Sequence, residues 1–230
     1  MLETIYTIPV NEAFEAGLAD KTKTCPFCRL YEKLQNIEVD TILGASMMEP
    51  DVRIKTNEQG FCDPHYRMML SSKNKLGLAL ILESHLAKLR QDMKEGVGDL
   101  LKGKGQTASG RIERLHESCY VCGRIETSLS KMIENAVYLW EQDSDFRTKL
   151  KGQPCLCLRH FKRFADAGRR SLNKKRFADF YSEIETLTMS YLESLKEDVS
   201  WFCKKFDYRY DQEPWGDAKD AVERSIDFLK

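Results

Sequence analysis

Very little in this sequence is in excess. Thirty-six basic residues are matched by thirty-six acidic ones, so no overall field draws the chain to nucleic acid or to an anionic membrane, and either partner would need a local patch. The longest uninterrupted apolar run, Leu76 to Leu82, is far short of the roughly twenty residues that a membrane span requires. The opening stretch MLETIYTIPVNEAFEAGLAD lacks the basic start and apolar core of a secretion signal, so a cytoplasmic protein is expected. Runs of alternating polar and apolar residues are absent, which excludes a sheet of any size. Missing too are a nucleophile with its base, a glycine-rich phosphate loop and a pair of carboxylates placed for acid–base work. An enzyme is therefore not the first reading.

What the chain does have is cysteine in a pattern. Cys25 and Cys28 form a C-x2-C pair, and 34 positions after Cys28 come Cys62 and His65 as C-x2-H; Cys119 and Cys122 repeat the first pair, and 35 positions after Cys122 come Cys157 and His160. Six of the eight cysteines and two of the four histidines fall into these pairs. Two thiols three positions apart can turn inward across a tight turn, and a Cys and a His at i and i+3 share one helix face, so each half-motif supplies half of a tetrahedron. In a reducing compartment, eight cysteines are better explained by metal than by disulfides. The expectation is two Cys3His sites, each closed within its own repeat because about 35 residues of local chain are the shorter loop to close. Cys155, two positions before Cys157, is an alternative ligand at the second C-x2-H.

Around the motifs the periodicity is helical. Ile5 to Val10 reads as a short extended segment, with Asn11 as cap of a brief helix to Ala16. Leu30, Leu34 and Ile37 follow Cys28 at helical spacing, and Asp51 can cap a short helix that Gly60 closes. Leu78, Leu82, Leu89 and Met93 share a stripe, and His85 lies on or beside it as a core histidine. Gly96, Gly98, Gly103, Gly105 and Gly110 then mark a linker over residues 96–110. In the second copy Ile125, Leu129, Ile133 and Val137 lie on one face, and Asp143 or Asp145 can cap the next helix. From Phe177 to Phe206 steps of three and four predict one long helix, and Asp217 to Asp220 resembles a capping box for a last one. The fold class is all-α: a first metal-binding repeat over 1–95, the Gly-rich linker over 96–110, and a second repeat over 111–230 that carries the long helix.

The knuckles, the stretch LGASMMEPDVRIKTNEQGFCDPH (43–65) and the stretch FDYRYDQEPWGDAKDA (206–221) resemble an uncharacterised family of bacterial cytoplasmic proteins along nearly the whole chain. Some of its members carry the label of ABC transporter substrate-binding protein, although this sequence has no lipid-attachment cysteine or two-lobed α/β pattern. The resemblance implies no particular activity. Where relatives have C-x-P-H at the second C-x2-H, this chain reads Cys157-Leu-Arg-His160, without the proline.

Zinc, two ions per chain, is the cofactor that the ligand set favours; an iron–sulfur cluster is the alternative, since three thiolates and an imidazole can also hold iron. Redox work at Cys25-Pro-Phe-Cys28 is a third reading, without the βαβ pattern that accompanies it in thioredoxins. Glu49, Asp51 and Arg53, with Lys55 and Asn57, form the most polar stretch near a ligand and could line a small-molecule pocket, or else a solvated helix. Between Arg159 and Arg176 eight basic residues stand against one acid. Such a patch can grip phosphates, but nucleic acid ranks below a protein or small-molecule partner. The resulting expectation is a cytoplasmic binding or regulatory module with two structural zinc sites; the alternative is a metal- or thiol-dependent enzyme using the C-x2-C pairs.

Overall fold

The structure, a computed structural model, describes residues 4–19, 24–102 and 108–230. Among them are eleven α-helices and no strand: α1 (Thr7–Leu18), α2 (Pro26–Leu43), α3 (Pro50–Gln59), α4 (Asp63–Ser71), α5 (Lys75–Lys102), α6 (Ala108–Glu117), α7 (Tyr120–Gln142), α8 (Ser144–Lys151), α9 (Leu158–Ser171), α10 (Lys174–Lys204) and α11 (Ala221–Leu229). They form two compact units, Met1–Tyr31 with Leu129–Lys230, and Glu32–Ser128. The units do not follow the order of the sequence repeats, because the chain leaves the first partway along α2 and re-enters it partway along α7.

In the unit of two segments, α10 packs on α9 and α11, and α1 packs on α8. Its core is a run of aromatic rings in edge or tilted contact. Phe14 meets Phe27 at 5.4 Å and Phe146 at 4.8 Å, Phe27 meets Phe164 at 5.0 Å, Phe164 meets Phe180 at 4.7 Å, and Phe180 meets Trp140 at 5.0 Å. Each such ring contributes about 2 kcal/mol or more by leaving water, so this cluster dominates the unit's stability. Gly168 on α9 makes room for it, since a Cβ there would lie 2.4 Å from the Phe180 ring. Phe180, Ile184, Thr188, Tyr191 and Leu195 are the buried stripe of α10, and the Asn173 side chain caps the helix by accepting from Arg176 N at 3.0 Å.

In the other unit, α3, α4 and α6 pack on α5. The Arg53 guanidinium ties α3 to α5 by donating to the Leu80 carbonyl, and to Ser84 Oγ at 2.9 Å. His85 is buried on α5, as a core histidine should be. Gly60 ends α3 with φ of 60°, a left-handed conformation that a residue with Cβ resists. Its carbonyl accepts from Tyr120 N at 3.0 Å, so the turn before Cys62 is joined to the first turn of α7.

Several local expectations are corrected. The segment 5–10 is helical, not extended: Val10, Ala13, Phe14 and Gly17 form an inward stripe, and burying it outweighs the strand preference of Ile and Val. Asn11 consequently lies inside α1 and donates to Thr7 O. Pro50 rather than Asp51 opens α3. Of the Gly-rich stretch, residues 96–102 continue α5 and 108–110 begin α6, while 103–107 lie outside the described residues. A glycine costs a helix about 1 kcal/mol, too little to stop one already propagating. Residues Gly216–Asp220 form a 3-10 turn, and Asp220 bonds Arg224 Nε at 2.8 Å instead of capping α11.

Candidate metal centres

Each C-x2-C sits where a helix begins. Cys25 O accepts from Cys28 N at 2.9 Å as the chain enters α2, and Cys119 O accepts from Gly123 N at 3.0 Å as it enters α7. Each C-x2-H does the same one step later: Cys62 and Cys157 are the residues preceding α4 and α9, and His65 and His160 lie in the first turns. Helix N-termini carry unpaired N–H groups and the positive end of the dipole, which favours thiolates gathered there.

The eight side chains converge in two groups of four, Cys25, Cys28, Cys157 and His160 in one, and Cys62, His65, Cys119 and Cys122 in the other. Within each group the ligand atoms all lie within 4.8 Å of one another. In the first, Cys28 Sγ is 3.6 Å from Cys157 Sγ, and His160 Nδ1 is 3.1 Å from Cys157, 3.4 Å from Cys28 and 3.8 Å from Cys25. In the second, Cys62 Sγ is 3.7 Å from Cys122 Sγ, and His65 Nδ1 is 3.1 Å from Cys62, 3.3 Å from Cys119 and 3.4 Å from Cys122. A tetrahedron with about 2.3 Å from centre to sulfur has edges of about 3.8 Å, so one ion at the middle of either group fits the donor set.

The grouping corrects the expected pairing. Each C-x2-C joins the C-x2-H of the other repeat, so the two closures are nested, Cys62 and His65 with Cys119 and Cys122 inside, Cys25 and Cys28 with Cys157 and His160 outside. The loop-length argument treated the chain between Cys28 and Cys62 as flexible. It is not, since α2 runs on from Cys28 to Leu43, a rod of about 22 Å that carries the chain away from Cys28 before it can turn. Cys155 is not in either group.

Three sulfurs cannot all ionise side by side without a cation. In the first group, burial and hydrogen bonds with its neighbours raise Cys25 well above the ordinary thiol range, and the hydrogen bond to Cys157 is the main reason that Cys28 is pushed up to about 12. Those same bonds from Cys25 and Cys28 hold Cys157 far down. In the second, burial raises Cys122 to about 12 and lifts Cys62 as well. Burial works against Cys119 too, but bonds from His65 and from backbone N–H groups outweigh it and bring that thiol to about 6. A divalent ion supplies the charge that lets all three thiolates exist together.

The surroundings of the two groups differ. The Gln35 amide on α2 is 3.0 Å from His65 Nε2. With Nδ1 turned to the sulfurs, Nε2 carries the hydrogen and the amide oxygen accepts it, after the half-turn that exchanges amide N and O. His160 Nε2 is buried with no hydrogen-bond partner among the described residues, and its ring lies 5.8 Å from that of Phe27. Sequence reasoning missed Gln35, which has no motif spacing to mark it, being seven positions beyond Cys28 and nowhere near His65 in sequence.

The other candidate residues are not gathered at either group. Glu49 and Asp51 are exposed at the start of α3, Lys55 is exposed, and Arg53 and Asn57 reach Ser84 on α5, Asn57 Oδ1 accepting from its hydroxyl at 3.1 Å. Several charges of the basic stretch have partners: Lys162 with Asp166 at 2.6 Å, Arg170 with Glu134 at 3.7 Å, and Arg176 stacked 4.6 Å from the Trp140 ring. Among the described residues no helix is long and apolar enough to cross a membrane.

The fold and the two groups define an all-helical protein with two four-ligand Cys/His clusters. Residues 1–230 match the family of unknown function DUF6062 over their whole length, and the chain belongs to that family. No curated protein and no solved structure matches it.

Proposed function

We propose that the chain holds two zinc ions in closed structural sites and works as a cytoplasmic binding or regulatory module. The observation that carries this reading is the convergence of the eight motif side chains into two groups of tetrahedral dimensions. Four donors within 4.8 Å of one another can close around a single ion, whereas a cluster of two or four irons needs its ligands spread around the cluster. The mixed Cys3His set favours zinc over a lone iron. All four positions are filled by side chains, which leaves no open position for substrate and favours structure over catalysis. A chain with eight cysteines, six of them held by metal rather than in disulfides, suits the reducing cytoplasm.

Elemental analysis of protein purified under reducing conditions without chelator tests it. The expected result is about two zinc ions per chain and no visible absorbance. Iron with absorbance in the visible would replace zinc by an iron–sulfur centre, and no metal at all would overturn the reading.

A further inference from the structure

Beside the first group lies a cavity of about 40 Å³. It is lined by three residues of the group, Cys25, Cys28 and Cys157, by a further cysteine, Cys155, and by Tyr191, Arg224 and Lys230. Cys155 is 4% exposed and in no disulfide. Arg224 is 6% exposed; it spends Nε on Asp220 and Nη2 on Asp198 and the Asp217 carbonyl, and the Tyr191 hydroxyl, also on the cavity wall, interacts with the same guanidinium, while the buried Nη1 has no close hydrogen-bond partner among the described residues.

The charges decide what class of molecule this cavity suits. Arg224 is already matched by Asp198 and Asp220, and Lys230 by Asp227 at 2.6 Å. Three carboxylates against two cations give an anion no net attraction, and the carboxylates are already engaged while Nη1, a donor only, has nothing to offer a cation. What remains is a neutral, polar molecule that can accept from Nη1, and the volume admits only one about the size of two or three waters. Hydrogen peroxide has that charge, size and hydrogen-bonding capacity. The groups around it that react with peroxide are sulfurs.

We propose that this cavity admits hydrogen peroxide to the first metal centre, and that Cys155 then closes a disulfide with a ligand cysteine, Cys28 foremost, releasing the ion. The inference rests on the metal-site reading above, in which Cys28 is a thiolate. Cys28 is the ligand of this group that is not fully buried. Its sulfur attacks one peroxide oxygen. The O–O bond breaks, an S–O bond forms, and the other oxygen leaves as hydroxide and takes a proton from solvent. Peroxide has then gained two electrons and Cys28 has become a sulfenic acid. The Cys155 sulfur displaces the sulfenyl oxygen, forming the S–S bond, and the thiol proton departs with that oxygen as water. The net change is one thiolate, one thiol, one solvent proton and one peroxide to one disulfide and two waters. A site that loses one of its four ligands this way no longer holds its ion. The second group has no such thiol in its own unit, where Cys62, Cys119 and Cys122 are the only cysteines.

The test uses the full chain with its metal bound, treated with hydrogen peroxide at one equivalent. Ion release is followed with a chromogenic chelator, and disulfides are mapped by mass spectrometry without reduction. The expected result is release of about one ion per chain, with Cys155 linked to a ligand cysteine of the first group. Cys155→Ser should keep both ions before treatment, form no such link and release the ion about tenfold more slowly. Cumene hydroperoxide, too bulky for the cavity, should release it no faster than that variant. A disulfide confined to Cys25 and Cys28, or a Cys155 that stays reduced while the ion leaves, would overturn the proposal with the metal reading intact. Absence of an ion at this group before any oxidant is added would instead overturn the metal reading. If the variant does not fold, the linkage map of the unaltered chain decides alone.

Discussion

Gln35 shows what a single residue adds to a centre whose ligands are already in place. With its amide turned so that the oxygen faces His65 Nε2, 3.0 Å away, it can accept the ring hydrogen and hold Nδ1 toward the sulfurs, and partners of this kind typically account for 10–100-fold in metal affinity. Gln35→Ala should therefore weaken the second site by about tenfold or more in a chelator competition while leaving the first unchanged. The thiols make a second expectation. In the metal-free second group Cys62 and Cys122 are raised and keep their protons at pH 7.5, while Cys119, at about 6, has lost its own. Binding an ion there should expel about two protons, and nearer three below pH 6, so affinity rises with pH and falls as the solution is acidified. Calorimetry in buffers of different ionisation enthalpy measures the number directly, and a release independent of pH would contradict the assignment.

At the scale of elements, the helices were legible wherever the apolar stripe was long. The steps of three and four from Phe177 marked α10, whose buried stripe starts at Phe180, and Ile125, Leu129 and Ile133 marked the inward face of α7. The amino-terminal segment and the glycines after Gly96 were misread, because local preference is weak beside a buried face or an established helix. That these eight side chains converge was legible in the spacing, but their grouping was not. Spacing says which residues are donors; the rigidity of α2 decides where the next donors can arrive. Cys62 joins two elements, preceding α4 directly after the Gly60 turn that ends α3. Cys62→Ser should lose about one equivalent of metal and lower the melting temperature, since a structural ion contributes on the order of 10 kcal/mol to the folded state. A variant that kept its melting temperature and lost only an activity would turn the site from structural to catalytic.

Over the whole molecule, the nested closures explain why compact units and sequence repeats differ. The outer closure binds the segment that carries Cys25 and Cys28 to one 129 positions away, and the inner closure lies wholly within Glu32–Ser128. Each unit thus carries one complete group of four, although neither repeat does. The metal content of two double variants distinguishes nested closure from closure within each repeat. Cys28→Ser with Cys157→Ser removes two ligands of one ion and should leave about one ion per chain. Cys28→Ser with Cys62→Ser strikes both centres and should leave about none. The reverse result, one ion retained by the Cys28/Cys62 pair and none by the Cys28/Cys157 pair, would mean that each repeat closes on itself and would contradict the account.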